Sequence, residues 1–242
     1  ADTLAGENAC ILFDQLGTGQ SRWKEPGLGT AEAEIIEDLE TLRKHLGHEK
    51  WTVFGQSWGS YLAVLYAAAH PDSVDRLVLA SNPLPTDDGM DVLGATVDAR
   101  MTARERVELE RILASNSDME EKIEQNFFRS LPYYFYDAPL GKRLLKEFDR
   151  SLLDPLAAIQ LLAYYRPYKF RDAATALRDW PGDTLVVQGH QDPSGALAGQ
   201  MVAEALPNAD LVYINRCGHF PWLEQPEPFA LAVREFLAKR AE

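Results

Sequence analysis

Gly55-Gln56-Ser57-Trp58-Gly59 stands between a short apolar run, Trp51–Phe54, and an apolar stretch typical of a helix, Ser60–Ala69. Strand, G-x-S-x-G and helix together make a nucleophile elbow, in which a strand turns sharply into a helix. We expect both glycines of the pattern to be required, because side chains next to the strained turn would collide. The pattern therefore predicts that Ser57 is exposed above the carboxyl end of a sheet. It also faces the N–H groups and positive dipole end of the new helix.

Strand and helix patterns alternate along this half of the chain. Continuous apolar runs at Ala9–Phe13 and Arg76–Ser81 predict strands that are buried on both faces. Between the first run and the elbow, apolar residues at three- and four-residue steps predict a helix over Thr30–Leu46. Thr30 is its expected N-cap and Gly47 its expected stop. This order predicts a parallel sheet with right-handed crossovers.

Residues 84–178 have a different pattern from the segments on either side. They show helical periodicity and clusters of aromatic residues, without strand-like runs. Strand patterns then resume at Thr184–Gln188 and Leu211–Ile214. We interpret 84–178 as a helical cap inserted into a core that is formed by residues 1–83 and 179–242.

The residue types needed to activate a serine follow the last two predicted strands. A serine hydroxyl needs an adjacent base, and the base needs a carboxylate that orients it. Asp192 follows the strand at Thr184–Gln188, and His219 follows the last strand, so both are predicted at the sheet edge that carries Ser57. Asp183 precedes its strand and is predicted at the opposite edge. The other histidines lie at helix ends or before the acid in the chain: His45, His48, His70 and His190.

Composition excludes several classes of partner. The 242 residues carry a net charge of −13, which disfavours binding to nucleic acid and to anionic membrane surfaces. No apolar run is long enough to span a bilayer, and Ala1–Gly6 lacks the features of a signal peptide. Cys10 and Cys217 have no metal-like spacing and do not suggest a disulfide scaffold. We therefore expect a cytoplasmic protein without a metal site.

Three motifs together resemble the proline iminopeptidase branch of the α/β-hydrolases. They are the loop Asp14–Ser21, the elbow Gly55–Ser60 and the pair Gly218-His219. The resemblance implies the α/β-hydrolase fold: a mostly parallel sheet with helices on both faces and a helical cap between strands six and seven. It also implies cofactor-free hydrolysis that removes an N-terminal residue from short peptides. The implied catalytic residues are Ser57, Asp192 and His219, with the backbone N–H of Trp58 as half of the oxyanion hole.

The cap departs from that branch where the substrate's amino group would bind. There, cap glutamates hold the free amino group, and one lies in a stretch whose best counterpart here is Tyr165–Phe170. The glutamate position is occupied by Lys169, with Arg166 nearby, and a cation cannot bind an ammonium group. The expected substrate-binding residues are Tyr133, Tyr134, Arg166, Lys169 and Phe220.

These observations lead to one prediction of function and two alternatives. We predict a serine hydrolase that acts through an acyl-enzyme on a short peptide or small molecule, as a proline iminopeptidase-like aminopeptidase. A small-molecule carboxylesterase is the first alternative. A non-catalytic ligand-binding receptor on the same fold is the second, since fold does not determine function.

The strand order of the resembled fold raises a further expectation. In α/β-hydrolases the order is one, two, four, three, five, six, seven, eight. The run that ends at Asp14 corresponds to strand four and the run before the elbow to strand five. Strand three belongs between them, because an empty place would leave buried backbone groups without partners. We expect an N-terminal segment outside these residues, in the same or a separate chain, to supply strand three and the second oxyanion donor.

Overall fold

The computed structural model describes residues 8–16, 18–21, 31–147 and 165–239. In this part of the chain, four strands form one sheet in the order β1-β2-β3-β4, and all three pairings are parallel. The strands are Trp51–Gln56 (β1), Val74–Ala80 (β2), Asp183–Gly189 (β3) and Ala209–Ile214 (β4). This arrangement confirms the predicted α/β class with a parallel sheet.

The helices fill the connections between these strands. Gly47, with a φ of 76°, ends the first helix as predicted, and its N–H donates to the Lys44 carbonyl oxygen. The predicted N-cap, Thr30, lies outside the described residues. None of the described helices is long and apolar enough to cross a bilayer. The helices are Ala31–His45 (α1), Trp58–Ala69 (α2), Gly89–Arg100 (α3), Ala103–Leu113 (α4), Met119–Ser130 (α5), Ala138–Glu147 (α6), Pro167–Ala176 (α7), Ala196–Ala205 (α8), Pro221–Glu224 (α9) and Pro226–Ala238 (α10), with 3-10 turns at Pro71–Ser73 and Leu131–Tyr134.

Helices cover both faces of the sheet. On one face, Leu77, Leu79 and Val186 pack into a core that includes residues of α2, α7 and α8. On the other face, Val78 and Leu185 pack against α10. A parallel strand needs apolar side chains on both of its faces when both are covered, which explains why β2 and β3 have nearly continuous apolar sequences.

Helices α3 to α6 lie in the connection between β2 and β3, where the cap was predicted. This region has a small core of its own, in which Val97 of α3 and Leu109 of α4 pack with Met101 and Tyr133. Helix α7 is different, because its buried residues Phe170 and Ala173 belong to the core against the sheet. The limits of the cap, residues 84–178, stay a prediction.

The predicted strand at Ala9–Phe13 does not form, and that prediction is wrong. The described residues 8–16 contain no strand, and Ile11 and Leu12 are 42% and 82% exposed. A strand requires a neighbour for its backbone hydrogen bonds, and no described strand lies beside this segment. Its buried contacts come instead from Phe13 and Leu16, which pack against a cluster on α1 and α2.

Candidate active site

Ser57 occupies a strained turn between β1 and α2. Its φ of 53° and ψ of −118° lie in a region that non-glycine residues rarely adopt. The Ser57 N–H donates to the Ala80 carbonyl oxygen at the end of β2, over 2.9 Å, which holds the turn against the sheet. The nucleophile elbow predicted from the sequence is therefore present in the geometry of the backbone.

The two glycines of the elbow have different surroundings. A Cβ on Gly55 would lie 2.2 Å from the Gly59 carbonyl oxygen, so only glycine fits there. Apart from its chain neighbours and the backbone of its own helix, a Cβ on Gly59 would meet no described atom within 4 Å. The expected collision at the second glycine is wrong, because nothing described packs against that position.

Helix α2 begins directly after the serine, at Trp58. The N–H groups of Ser60 and Tyr61 donate to the Ser57 carbonyl oxygen, over 2.9 and 3.3 Å. The Trp58 N–H stands at the first helical position, where a backbone donor has no acceptor inside the helix. The indole ring of Trp58 packs against the Tyr61 ring, with 5.1 Å between centroids. The Trp58 N–H is thus next to Ser57, and the Trp58 side chain packs against the core.

Asp192 and His219 form a buried pair in two neighbouring loops. Asp192 Oδ2 lies 2.9 Å from His219 Nδ1, and the two residues are 3% and 4% exposed. Asp192 Oδ1 accepts the Ser194 N–H over 2.8 Å, so both carboxylate oxygens have partners. A carboxylate on Nδ1 favours the tautomer with a proton at that atom, which leaves Nε2 as a hydrogen-bond acceptor.

The histidine loop lies against the elbow. The side-chain amide of Gln56 donates to the His219 carbonyl oxygen over 3.1 Å. Among the described residues, no hydrogen bond joins the Ser57 hydroxyl to the His219 ring. Hydrogen bonds of active-site residues are often long before substrate binds, so the absence of this bond does not exclude a catalytic pair.

Two of the expected substrate-binding residues contact His219. The Tyr134 ring stands edge-on to the His219 ring, with 5.3 Å between centroids, and its carbonyl oxygen accepts the His219 N–H over 2.9 Å. Burial, with a smaller contribution from the Asp192 charge, raises the pKa of Tyr134. Phe220 packs on Phe135, with 4.7 Å between ring centroids. An aromatic wall therefore covers one side of the histidine.

The other three expected residues make different contacts. Tyr133 is buried in the core of the cap. Lys169 Nζ lies 2.6 Å from Glu32 Oε2, in an ion pair between α7 and α1. Arg166 Nη1 donates to the carbonyl oxygen of its neighbour, Tyr165. The charge of Lys169 is thus matched by a carboxylate of this chain.

Sequence reasoning missed two charged residues beside the loops of Asp192 and His219. Arg100 donates to the Gln191 carbonyl oxygen, over 2.6 Å, and to the Tyr133 carbonyl oxygen, over 3.0 Å. Glu224 accepts backbone N–H groups on both sides of His219. Burial raises the pKa of Glu224, and these backbone donors oppose the shift. No sequence pattern identifies Arg100 or Glu224, because the partners of both residues are main-chain atoms of segments distant in the chain or of neighbouring loops.

A family described as the alpha/beta hydrolase fold matches this chain over residues 1–226. The match covers nearly the whole sequence. The chain belongs to the alpha/beta hydrolase family. Membership is consistent with the order of Ser57, Asp192 and His219, which follow β1, β3 and β4.

Curated relatives of this alpha/beta hydrolase include proline iminopeptidases. It is 49% identical over 69 residues to a putative proline iminopeptidase of Mycoplasma pneumoniae, which is 28% of this chain and 22% of the relative. It is 45% identical over 69 residues to the proline iminopeptidase of Arabidopsis thaliana, covering 28% and 18% of the two chains. These alignments span about a fifth of each relative's length.

Solved structures resemble this alpha/beta hydrolase over most of its length. A meta-cleavage product hydrolase from Pseudomonas fluorescens has a TM-score of 0.66 at 21% identity, covering 92% of this chain and 77% of that one. A thermophilic esterase from Thermogutta terrifontis has a TM-score of 0.60 at 27% identity, with the same coverage. The first of these likenesses concerns the fold alone.

Proposed function

We propose that this alpha/beta hydrolase is a serine hydrolase that cleaves an acyl bond through an acyl-enzyme. Ser57 is the nucleophile, His219 the general base and acid, and Asp192 the carboxylate that orients the histidine. The observation that carries the proposal is the buried 2.9 Å Asp192–His219 hydrogen bond in a loop that contacts the strained elbow of Ser57.

Each residue has a defined part in the proposed reaction. Ser57 Oγ attacks the substrate carbonyl carbon while His219 Nε2 takes the hydroxyl proton. The Trp58 N–H donates to the oxyanion of the tetrahedral intermediate. His219 then returns the proton to the leaving group, and a water molecule hydrolyses the acyl-enzyme by the same route. These steps need no cofactor.

Replacement of the nucleophile tests this mechanism. Ser57→Ala should lower kcat by several orders of magnitude and leave the fold intact, because Ser57 lies at a turn. A fluorophosphonate probe should label the native protein and not the variant. Near-normal turnover by the variant would exclude the mechanism, and a native protein that never reacts with the probe would favour a non-catalytic receptor.

For the substrate, we propose a short peptide from which an N-terminal residue is removed. The support comes from the proline iminopeptidase relatives, which are similar to this chain over 69 residues, or 28% of its length. A small-molecule ester is the second candidate. It is supported by the likeness to the thermophilic esterase and by the presence of Lys169 where the peptidases resembled here have a glutamate.

A direct comparison of substrates separates the two candidates. Prolyl-arylamide and a short-chain acyl ester should be compared by kcat/KM with the same enzyme preparation. The peptidase proposal expects higher efficiency on the arylamide, with little change in Lys169→Ala, because Lys169 is already paired with Glu32. Efficient cleavage of the ester alone would reject the peptidase proposal and identify the protein as a carboxylesterase.

We further propose that an N-terminal segment outside these 242 residues, in the same or a separate chain, pairs with the side of β1 opposite β2 and supplies strand three and the second oxyanion donor. The support is that β1 pairs only with β2 in the described part of the chain, although it carries the nucleophile. The 242 residues expressed alone should be inactive or unstable, and addition of the segment should restore turnover. Full activity and cooperative unfolding of these residues alone would contradict the proposal.

We also propose that the protein is located in the cytoplasm. Both cysteines are free thiols: Cys10 is exposed and Cys217 is buried. Free thiols are usual in reducing compartments. Cell fractionation with an antibody to the protein would test the location, and recovery from a secreted fraction would contradict it.

A further inference from the structure

We propose that Glu224 is a positioning residue that fixes the backbone of His219 by binding its loop and the cap at the same time. The proposal rests on the function proposed for His219. Glu224 touches no reacting atom and acts through the main chain of the histidine loop. The cap segment concerned is residues 133–136.

The carboxylate of Glu224 accepts three backbone N–H groups. Oε1 accepts from Gly218 over 3.0 Å and from Phe220 over 3.2 Å, which are the residues before and after His219. Oε2 accepts from Tyr136 over 2.7 Å and lies 3.1 Å from the Gly218 nitrogen. One side chain therefore binds both flanks of the histidine and the end of the cap segment.

The histidine's own backbone completes this arrangement. Its N–H donates to the Tyr134 carbonyl oxygen over 2.9 Å, and its carbonyl oxygen accepts from Gln56 over 3.1 Å. With Glu224 bound to the neighbouring N–H groups, the backbone N–H groups of Gly218, His219 and Phe220 all have acceptors. Glu224 supplies the bonds on both flanks of the histidine, so its carboxylate restrains the two residues that Tyr134 and Gln56 do not bind.

The same cap segment also reaches the acid loop. Arg100 donates to the carbonyl oxygens of Tyr133 and Gln191, and Gln191 immediately precedes Asp192. The segment 133–136 thus holds the histidine loop through Glu224 and the acid loop through Arg100. Displacement of either loop by about 1 Å would disturb the Asp192–His219 geometry, and such misplacement can cost about 100-fold in rate.

Glu224→Gln is the informative change. Glutamine has the same shape, but its amide nitrogen cannot accept an N–H, so at least one of the three bonds is lost. We expect kcat to fall about 10- to 100-fold, with KM within about twofold of the native value. The low-field proton signal of His219 Nδ1–H should shift or broaden in the NMR spectrum. Glu227→Gln, at an exposed position on α10, is the matched control and should change neither quantity.

Native kcat together with a native low-field signal in Glu224→Gln would overturn the proposal. A parallel rise in KM with unchanged kcat would overturn it too, because it would indicate a role in substrate binding. If Glu224→Gln does not fold, Glu224→Asp decides. It keeps the charge but shortens the reach, so kcat should fall with KM unchanged, and a native kcat would refute the role. Turnover that persists in Ser57→Ala would reject the serine mechanism, while the NMR signal still reports on Glu224.

Discussion

The side-chain amide of Gln56 donates a hydrogen bond of 3.1 Å to the carbonyl oxygen of His219, a residue 163 positions later in the chain. Gln56 is the last residue of β1 and immediately precedes Ser57. The bond therefore links the elbow directly to the histidine loop. It joins the end of β1, next to the proposed nucleophile, to the loop that carries the proposed base.

Replacing Gln56 should weaken catalysis more than folding. Gln56→Met keeps the length of the side chain and removes the donor, at a cost of about 0.5–1.5 kcal/mol in a typical hydrogen bond. If that cost falls on the transition state, kcat/KM should decrease about 2- to 10-fold. Steady-state kinetics measure the change. Gln200→Met, on the exposed face of α8, is the control, and an equal decrease there would contradict the assigned role.

Gly218 should not tolerate a methyl group. A Cβ at this position would lie 2.3 Å from the Tyr134 carbonyl oxygen and 2.6 Å from the Tyr136 nitrogen, both of which are backbone atoms. Gly218→Ala should therefore lower the free energy of unfolding by about 1–3 kcal/mol, as overpacking usually does. Urea unfolding measures it. Gly94→Ala, where a Cβ meets nothing described within 4 Å, should be neutral or stabilising. Equal free energies of unfolding for the two variants would contradict the prediction, because they would show that the cap backbone shifts to admit the methyl group without loss of stability.

Glu40 should make stability depend on acid pH. Hydrogen bonding to Arg43, opposed by burial and aided by Tyr66, holds the pKa of Glu40 well below its usual range. A carboxyl with a depressed pKa in the folded state stabilises the fold above its unfolded pKa of about 4.3, and loses that contribution as pH falls below it.

The comparison of native protein with Glu40→Gln measures this effect. The difference in free energy of unfolding should be constant from about pH 6 to pH 8 and should shrink below about pH 4.5. Denaturant unfolding across this range provides the data. Glu204→Gln, at an exposed position on α8, controls for the amide substitution and should change stability little at neutral pH. A difference that stays constant to pH 3 would contradict the prediction.

The two cysteines should react at very different rates. Burial raises the pKa of the Cys217 thiol, and the nearby charges of Glu224 and Asp192 add to this effect. Since the thiolate is the reactive species, an aromatic disulfide reagent should modify exposed Cys10 in the native protein and Cys217 only after unfolding. Cys10→Ala should remove the fast phase. Rapid modification of Cys217 in that variant would show that the loop opens readily.

Local patterns predicted the parts of this fold where a single principle dominates. The strands before Ser57 and Asp192 were recognisable because apolar runs next to turn residues indicate buried parallel strands. The Asp192–His219 pair could be proposed from chain order alone, and the structure places the two side chains in contact. The failure at Ala9–Phe13 has the opposite cause: an apolar run forms a strand only beside a partner, and no described strand lies beside this one.

Contacts between distant loops could not be predicted. Glu224 and Arg100 bind main-chain atoms, which every residue has, so no residue type at the partner position reveals the contact. The ion pair of Lys169 with Glu32 could not be predicted from the sequence either. Its two helices meet only because both pack on α2, and that packing is a property of the assembled core.

The close approach of Gly218 to the cap has a consequence for protein engineering. With Tyr134 and Tyr136 in backbone contact with this glycine, the segment 133–136 is structurally part of the catalytic loops, although it lies within the cap in sequence. A chimera that receives the whole cap of a relative would replace segment 133–136 but keep the histidine loop. The two backbones in contact would then come from different proteins. A transplant that keeps residues 133–136 with the host therefore preserves the contacts between this segment and the histidine loop.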